Sequence, residues 1–238
     1  SVVKELVENS IDAGATNIYV EIENGGISSI KISDNGCGIE RSELKKALLP
    51  HATSKISTLK DLDNILSLGF RGEALASIAS VSKIKIVSKP KEQAVGAMIS
   101  ADGGDIFDIV DEATVDGTTI IVNNLFYNTP ARKKFLKSAQ TEGSYIADMV
   151  EKLALSHPDI SFKFIQNNQT KLHTSGNGNI KDLIYHVFGR DISSSVLPVE
   201  FTNELFSVTG YIGKPIITRG NRNFENYFIN GRYVKSNL

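Results

Sequence analysis

Ser67-Leu68-Gly69-Phe70-Arg71-Gly72-Glu73-Ala74-Leu75-Ala76-Ser77-Ile78-Ala79 sets two glycines directly ahead of a segment with apolar residues at Leu75, Ile78 and Ala79. That spacing is helical. Glycine lets backbone approach a ligand with no Cβ in the way. A helix start then offers unpaired N–H groups and the positive end of the helix dipole. Together these features describe a place to hold phosphate, and Arg71 between the glycines adds a fixed positive fork. A Gly-x-x-Gly pair is also an ordinary turn. The case is completed by two stretches upstream.

Residues 2–12 read as an amphipathic helix, with Val2, Val3, Leu6, Val7 and Ile11 on one side. Glu5, Glu8, Asn9 and Asp12 recur at helical spacing on the other side, and Asp12-Ala13-Gly14 ends the helix with glycine in the left-handed cap position. Such a face is either solvated surface or a carboxylate and an amide, one turn apart, aimed at a metal and a water. Residues 18–22 alternate as a strand, Asn24-Gly25-Gly26 is a tight turn, and residues 30–32 alternate again, which predicts a hairpin. Its second strand delivers Asp34-Asn35-Gly36-Cys37-Gly38. That sequence is equally a simple turn or a place where a flat ring meets backbone while the carboxylate accepts a hydrogen bond from an exocyclic amine. Cys37, with no base beside it in sequence, is expected to pack.

Further along, residues 40–66 mix short helical runs with polar breaks, and the small, hydroxyl-rich segment 51–58 suggests a lid beside the glycine-rich loop. Strands are predicted at 83–88, 97–100, 106–110 and 118–122, with turns at Asp102-Gly103-Gly104 and Asp116-Gly117. Helix, hairpin, lid, helix and antiparallel strands make an α+β fold, one sheet with helices packed on one face. A helix over 141–156 and a hairpin around Asn167-Asn168 follow. Residues 174–179 are the best linker in the chain, which places a domain boundary between 1–175 and 176–238. Beyond it lie a helix over 180–188, capped by Gly189, and strands at 196–201, 205–212 and 224–229.

Composition sets the bounds. The chain has 238 residues, 41% of them apolar and 22% charged, and its 26 Lys and Arg nearly cancel 27 Asp and Glu. No apolar run approaches the length of a membrane span, and there is no signal-peptide pattern, so no membrane partner is expected. A single cysteine forbids an internal disulfide and fits a reducing compartment. The four histidines, at 51, 157, 173 and 186, have no zinc-ligand spacing. A formal charge of −1 argues against wholesale nucleic-acid coating but leaves room for local patches, the densest being Arg132, Lys133, Lys134 and Lys137. The chain opens at Ser1, already inside a helical pattern, and is therefore expected to be a fragment of a longer protein.

No Gly-x-x-x-x-Gly-Lys-Ser/Thr occurs, so a P-loop is excluded. Instead the order is Glu5-x-x-x-Asn9, Asp34-x-Gly36-x-Gly38, Gly69-Phe70-Arg71-Gly72-Glu73-Ala74-Leu75 and Gly117-Thr118-Thr119. That order resembles the GHKL ATPases: gyrase, the heat-shock chaperone, histidine kinases and MutL. The form Gly-Phe-Arg-Gly-Glu-Ala-Leu resembles the MutL mismatch-repair proteins in particular. So do Val3-Lys4-Glu5-Leu6-Val7-Glu8-Asn9-Ser10, His51-Ala52-Thr53-Ser54-Lys55 and Phe126-Tyr127-Asn128-Thr129-Pro130-Ala131-Arg132. The resemblance is dense through about residue 136 and looser beyond.

It implies a Bergerat-type α/β sandwich with a mostly antiparallel sheet, followed by the start of a second, truncated α/β transducer domain. It implies ATP as substrate and Mg²⁺ as cofactor. Glu5 would be the general base that activates water, and Asn9 the amide that ligates Mg²⁺. Asp34 would accept from the adenine amino group. Gly36 and Gly38 would lie against the ring, with Thr118 flanking it. Gly69, Phe70, Arg71, Gly72, Glu73, Ala74 and Leu75 would wrap the phosphates, chiefly through backbone N–H groups, with Thr53 and Lys55 adding contacts from the lid. Ordering some fifteen lid residues costs roughly 15–30 kcal/mol if they start fully flexible, against a ceiling on noncovalent binding of roughly 18–21 kcal/mol. A second subunit sharing that cost is what the family implies, as ATP-dependent dimerisation into a homodimer or a paralogous heterodimer. The further implied partners are DNA, bound largely without sequence preference, and a MutS-type mismatch-recognition protein. The location would be cytoplasmic or nucleoid in a bacterium and nuclear in a eukaryote. The family's segment ahead of the first helix, and the second-domain lysine that reaches the γ-phosphate, do not appear in this sequence. The alternatives are another GHKL machine (a topoisomerase subunit or a chaperone) and a nucleotide-gated DNA-binding scaffold whose hydrolysis is incidental.

Overall fold

The computed structural model describes residues 1–50 and 74–235. The expected lid with His51, Thr53 and Lys55, and the phosphate loop Gly69, Phe70, Arg71, Gly72 and Glu73, lie outside the described residues.

Helix α1 (Val2–Asp12) leads through Gly14, at φ +71°, into β1 (Asn17–Glu23). The Asn24–Gly26 turn then returns the chain antiparallel as β2 (Ser29–Asp34), followed by α2 (Arg41–Ala47). After α3 (Ala74–Ala79) come β3 (Lys83–Lys89), β4 (Gly96–Asp102), β5 (Asp105–Ile106), β6 (Val110–Glu112) and β7 (Gly117–Asn123). The short α4 (Pro130–Lys133) precedes the long α5 (Ala139–Ser156), which Ser138 caps by accepting from the Thr141 N–H. The hairpin β8 (Ser161–Gln166) and β9 (Gln169–His173) turns at Asn167 and Asn168, both at positive φ, as a two-residue turn requires.

These strands form one nine-stranded sheet in the order β5-β4-β3-β7-β2-β1-β8-β9, with β6 also paired to β4. The β1–β8 pairing is parallel and every other one antiparallel. Alternation sends Ile18, Val20 and Ile22 of β1, Ile30 and Ile32 of β2, Ile84 and Ile86 of β3, and Ile120 and Val122 of β7 to one face. There they meet Val3, Leu6 and Val7 of α1, Ile78 of α3, and Val150, Leu153 and Ala154 of α5 in a single apolar core. The expected α+β sandwich, with helices on one face of a mostly antiparallel sheet, is the observed one.

Beyond the sheet lie α6 (Ile180–Phe188), α7 (Arg190–Ser193), and the hairpins β10 (Val196–Thr202)–β11 (Ser207–Gly213) and β12 (Tyr227–Ile229)–β13 (Arg232–Val234). Gly189, at φ +85°, ends α6 as expected. Three strand expectations need correction. The strand read over 106–110 is two pieces, β5 and β6, because the chain pairs with β4 twice and leaves that edge in between. The strand read from 205 begins at Ser207: Asn203 accepts from the N–H groups of Leu205 and Phe206 and holds them in the turn. The strand read over 224–229 is shorter, and its partner β13 went unrecognised although Asn230-Gly231 marks the turn between them.

Candidate functional site

Asp34 closes β2, and three donors of the chain fix its carboxylate. The Ser10 hydroxyl donates to Oδ2 at 2.7 Å, the Gly36 N–H donates to Oδ1 at 2.9 Å, and the Thr118 backbone adds a third bond. Burial pushes the Asp34 carboxyl above the ordinary carboxylate range, and these three bonds pull against that rise. Sheet register places the neighbours. Asp34 stands opposite Thr118 on β7, and Thr118 stands opposite Ser88 on β3, so the three form one row across the sheet. Thr118 and Ser88 are both buried. The Ser88 hydroxyl lies 2.9 Å from Thr118 Oγ1, donates to the Gly117 carbonyl at 3.0 Å, and accepts from the Ile39 N–H at 2.8 Å.

The loop after Asp34 is sewn to the end of α1. The Cys37 N–H donates to the Ala13 carbonyl at 2.9 Å, and the Asn35 side chain accepts from the N–H groups of Thr16 and Asn17, each at 2.9 Å. A Cβ on Gly36 would stand 2.8 Å from both the Cβ and the carbonyl oxygen of Ala13. Gly38 sits at φ +76°, and a Cβ there would meet Pro90 N at 2.7 Å. Both glycines therefore let this loop pack between α1 and the end of β3. The Cys37 side chain is exposed, which corrects the expectation that it packs; its backbone N–H makes the structural contact.

On α1, Glu5 and Asn9 are half-buried and one turn apart on one side of the helix. The acidic side is not the solvated surface that one reading of its pattern allowed. Glu8 is only 8% exposed, paired with Lys4 at 3.6 Å, and burial pushes its carboxyl upward more than Lys4 pulls it down. The buried stripe runs Val3, Leu6, Val7, Ser10, while Val2 and Ile11, placed on the same apolar side, are half-buried and pack against the core. Ala74 and Leu75 open α3 half-buried, and Leu75 packs on the core. The basic residues Arg132, Lys133, Lys134 and Lys137 are all exposed, around α4.

The structure thus brings Asp34, Gly36, Gly38 and Thr118 together at the junction of α1, β2 and β7, and Ser10 joins Asp34 to the helix that carries Glu5 and Asn9. Sequence reasoning missed Ser10, Ser88 and Asn35. Ser10 had a signal: it is the one polar residue at the i+7 position of the stripe that starts at Val3. Ser88 had none before the β3–β7 register was known. Glu5 and Asn9 offer the hard oxygen donors that Mg²⁺ takes while keeping most of its waters. Among the described residues no group of three or more His, Cys, Asp or Glu is placed to hold a metal. Nor, among the described residues, is any helix long and apolar enough to cross a membrane.

The family model described as histidine kinase-, DNA gyrase B- and HSP90-like ATPase matches residues 1–108, and that described as the C-terminal domain of DNA mismatch repair protein matches residues 184–238. The solved "Aquifex aeolicus MutL ATPase domain complexed with ADP" is 28% identical with a TM-score of 0.75, over 99% of this chain and 82% of that one. A second structure, the N-terminal domain of a DNA repair protein, reaches 0.81 at 28% identity, over 99% of this chain and 74% of that one. Fold and site together define a GHKL-type ATPase domain. Among curated sequences, the DNA mismatch repair protein MutL of Agathobacter rectalis is 64% identical over the whole chain, and that of Clostridium beijerinckii 50% identical over 99% of it. The chain belongs to the MutL family of DNA mismatch repair proteins, and it spans 37% and 36% of the length of those two relatives.

Proposed function

We propose that this chain binds ATP where α1, β2 and β7 meet and hydrolyses it slowly, as the nucleotide-operated switch of a MutL-type mismatch repair protein. The observation that carries the reading is the buried Asp34 carboxylate, held at that junction by Ser10, Gly36 and Thr118. The ADP bound by the Aquifex aeolicus domain supports it.

In this reading Asp34 accepts from the adenine amino group. Guanine would present a carbonyl oxygen there and leave a buried acceptor unpaired, at a cost of about 1–3 kcal/mol. The backbone of Gly36 and Gly38 borders the ring, and Thr118 flanks it. Glu5 holds the attacking water and takes its proton. Asn9 holds Mg²⁺, which when bound offsets the charge of the triphosphate. Ala74 and Leu75 start the helix that follows the phosphate loop. Thr53, Lys55, Gly69, Phe70, Arg71, Gly72 and Glu73 keep the phosphate-side roles that the resemblance assigns.

The wider reading follows the family. ATP binding closes the lid and drives dimerisation, with a homodimeric or paralogous partner. Hydrolysis resets the switch, DNA is held without strong sequence preference, and a MutS-type protein delivers the signal. Residues 1–175 form the ATPase domain and 176–238 the start of the transducer domain. That division is supported by the end of the sheet at His173 and by the separate hairpins beyond it. The location is cytoplasmic or nucleoid in a bacterium.

Phosphate release with ATP and Mg²⁺, measured for the chain and for Glu5→Ala, tests the activity. Turnover in the first and its loss in the second, with nucleotide still bound, is the expected result. Equal turnover in both would reject Glu5 as the base. Sizing with a non-hydrolysable ATP analogue tests dimerisation, and an unchanged mass would count against it.

A further inference from the structure

Ser10 occupies the fourth place of the buried stripe of α1, after Val3, Leu6 and Val7, where an apolar side chain would continue the packing. It is 4% exposed. A hydroxyl is costly in such a place unless it is hydrogen-bonded. Two acceptors lie within its reach, Asp34 Oδ2 at 2.7 Å and the Leu6 carbonyl at 3.3 Å. Serine has one proton to give, and the shorter, charge-assisted contact takes it.

That bond fixes Asp34 Oδ2 from the side of α1, while the Gly36 N–H fixes Oδ1 at 2.9 Å from the loop. Each carboxylate oxygen then holds a donor of the chain. With both oxygens engaged, rotation of the carboxylate would break at least one of these bonds. Ser10 also follows Asn9 directly, so the side chain that orients Asp34 is carried by the same helix turn as the metal-binding amide.

We propose that Ser10 is a positioning residue that sets the preference for a 6-amino purine, by holding the Asp34 carboxylate in the one orientation that accepts the amine. The proposal rests on the reading of Asp34 as the adenine acceptor. Without the hydroxyl, Asp34 keeps the backbone donors of Gly36 and Thr118 but loses the contact that stops Oδ2 from rotating. Discrimination between purines then falls, while contacts to the triphosphate stay.

The test is titration of the chain with ATP and with ITP, whose 6-oxo group offers an acceptor where adenine offers a donor. The wild-type protein, Ser10→Ala and Ser10→Cys are compared, with melting temperature measured alongside. Ser10→Cys nearly preserves the volume of the site and so guards against a variant that fails to fold. ATP affinity is expected to fall about tenfold in both variants, the size of one charge-assisted hydrogen bond between the misoriented carboxylate and the adenine amine. ITP affinity should change much less, so that the ATP-to-ITP ratio drops. A ratio equal to wild type in a folded variant, or a parallel loss for both nucleotides, overturns the role of Ser10 alone. A wild-type protein that binds ATP and ITP equally overturns the adenine reading of Asp34, and the proposal with it.

Discussion

The Ser10 hydroxyl donates to the Asp34 carboxylate across 2.7 Å, joining α1 to the last residue of β2. Twenty-four positions apart in sequence, they bring the helix of Glu5 and Asn9 and the acceptor at the sheet into one constellation. The same junction is tied again by the Cys37 N–H to the Ala13 carbonyl. The site is therefore built into the packing of helix on sheet.

Glu5→Ala should leave ATP affinity within about twofold of wild type and lower turnover by about 10²- to 10⁴-fold, the range of a lost general base. Equilibrium binding and phosphate release on the same preparation separate the two effects.

Gly36→Ala should destabilise the chain by about 1–3 kcal/mol, because the added methyl meets Ala13 at 2.8 Å and the neighbours are backbone and a short side chain. Gly117→Ala should cost at least as much. Its φ of +109° disfavours any Cβ, and that Cβ would run into the Asp34 carbonyl oxygen. Thermal unfolding of each variant checks the cost, and ATP titration checks that the Asp34 row moves with it.

Ser88→Ala leaves the half-buried Ile39 N–H without its acceptor, the Gly117 carbonyl without its hydroxyl donor and Thr118 without its hydroxyl neighbour. Losing the partner of a buried polar group costs about 1–3 kcal/mol. A drop in stability of that size, together with weaker nucleotide binding, is expected. Stability lost with no change in affinity would remove Thr118 from the pocket.

Glu8 gives a pH dependence. Its carboxyl is pushed above its ordinary value of 4.5 by burial, so the folded protein holds that proton more tightly than the unfolded chain does. The contribution of Glu8 to stability is full below about 4.5 and is lost as pH rises through the elevated folded value. Glu8→Gln removes this penalty. It should melt higher than wild type at neutral pH, and the gap should close as pH falls toward 4.5. Melting curves across that interval check the sign.

The fold was legible where periodicity was strong. Helix α1, the β1–β2 hairpin and α5 all follow from apolar spacing and turn residues, and local patterning suffices for elements whose partners are sequence neighbours. Short edge strands were not legible. β5 and β6 exist only because β4 offers an edge, and no pattern three residues long announces that. The site divides in the same way. Asp34, Gly36, Gly38 and Thr118 were named only through the family resemblance, and the structure sets them side by side. Ser88 enters through the register of β3 on β7, which a linear sequence does not display. Glu8 was assigned the right side of α1, but its burial depends on packing that the helix pattern alone does not contain.

In the proposed site one adenine nucleotide binds against Asp34. ATP titration of Asp34→Asn beside wild type, at neutral pH and with Mg²⁺, tests it most directly. Binding by the wild type and a loss of about a hundredfold or more in the variant are expected, since the amide presents a donor or a neutral acceptor where a carboxylate stood. Equal affinity in a correctly folded Asp34→Asn protein would contradict it and place the nucleotide elsewhere.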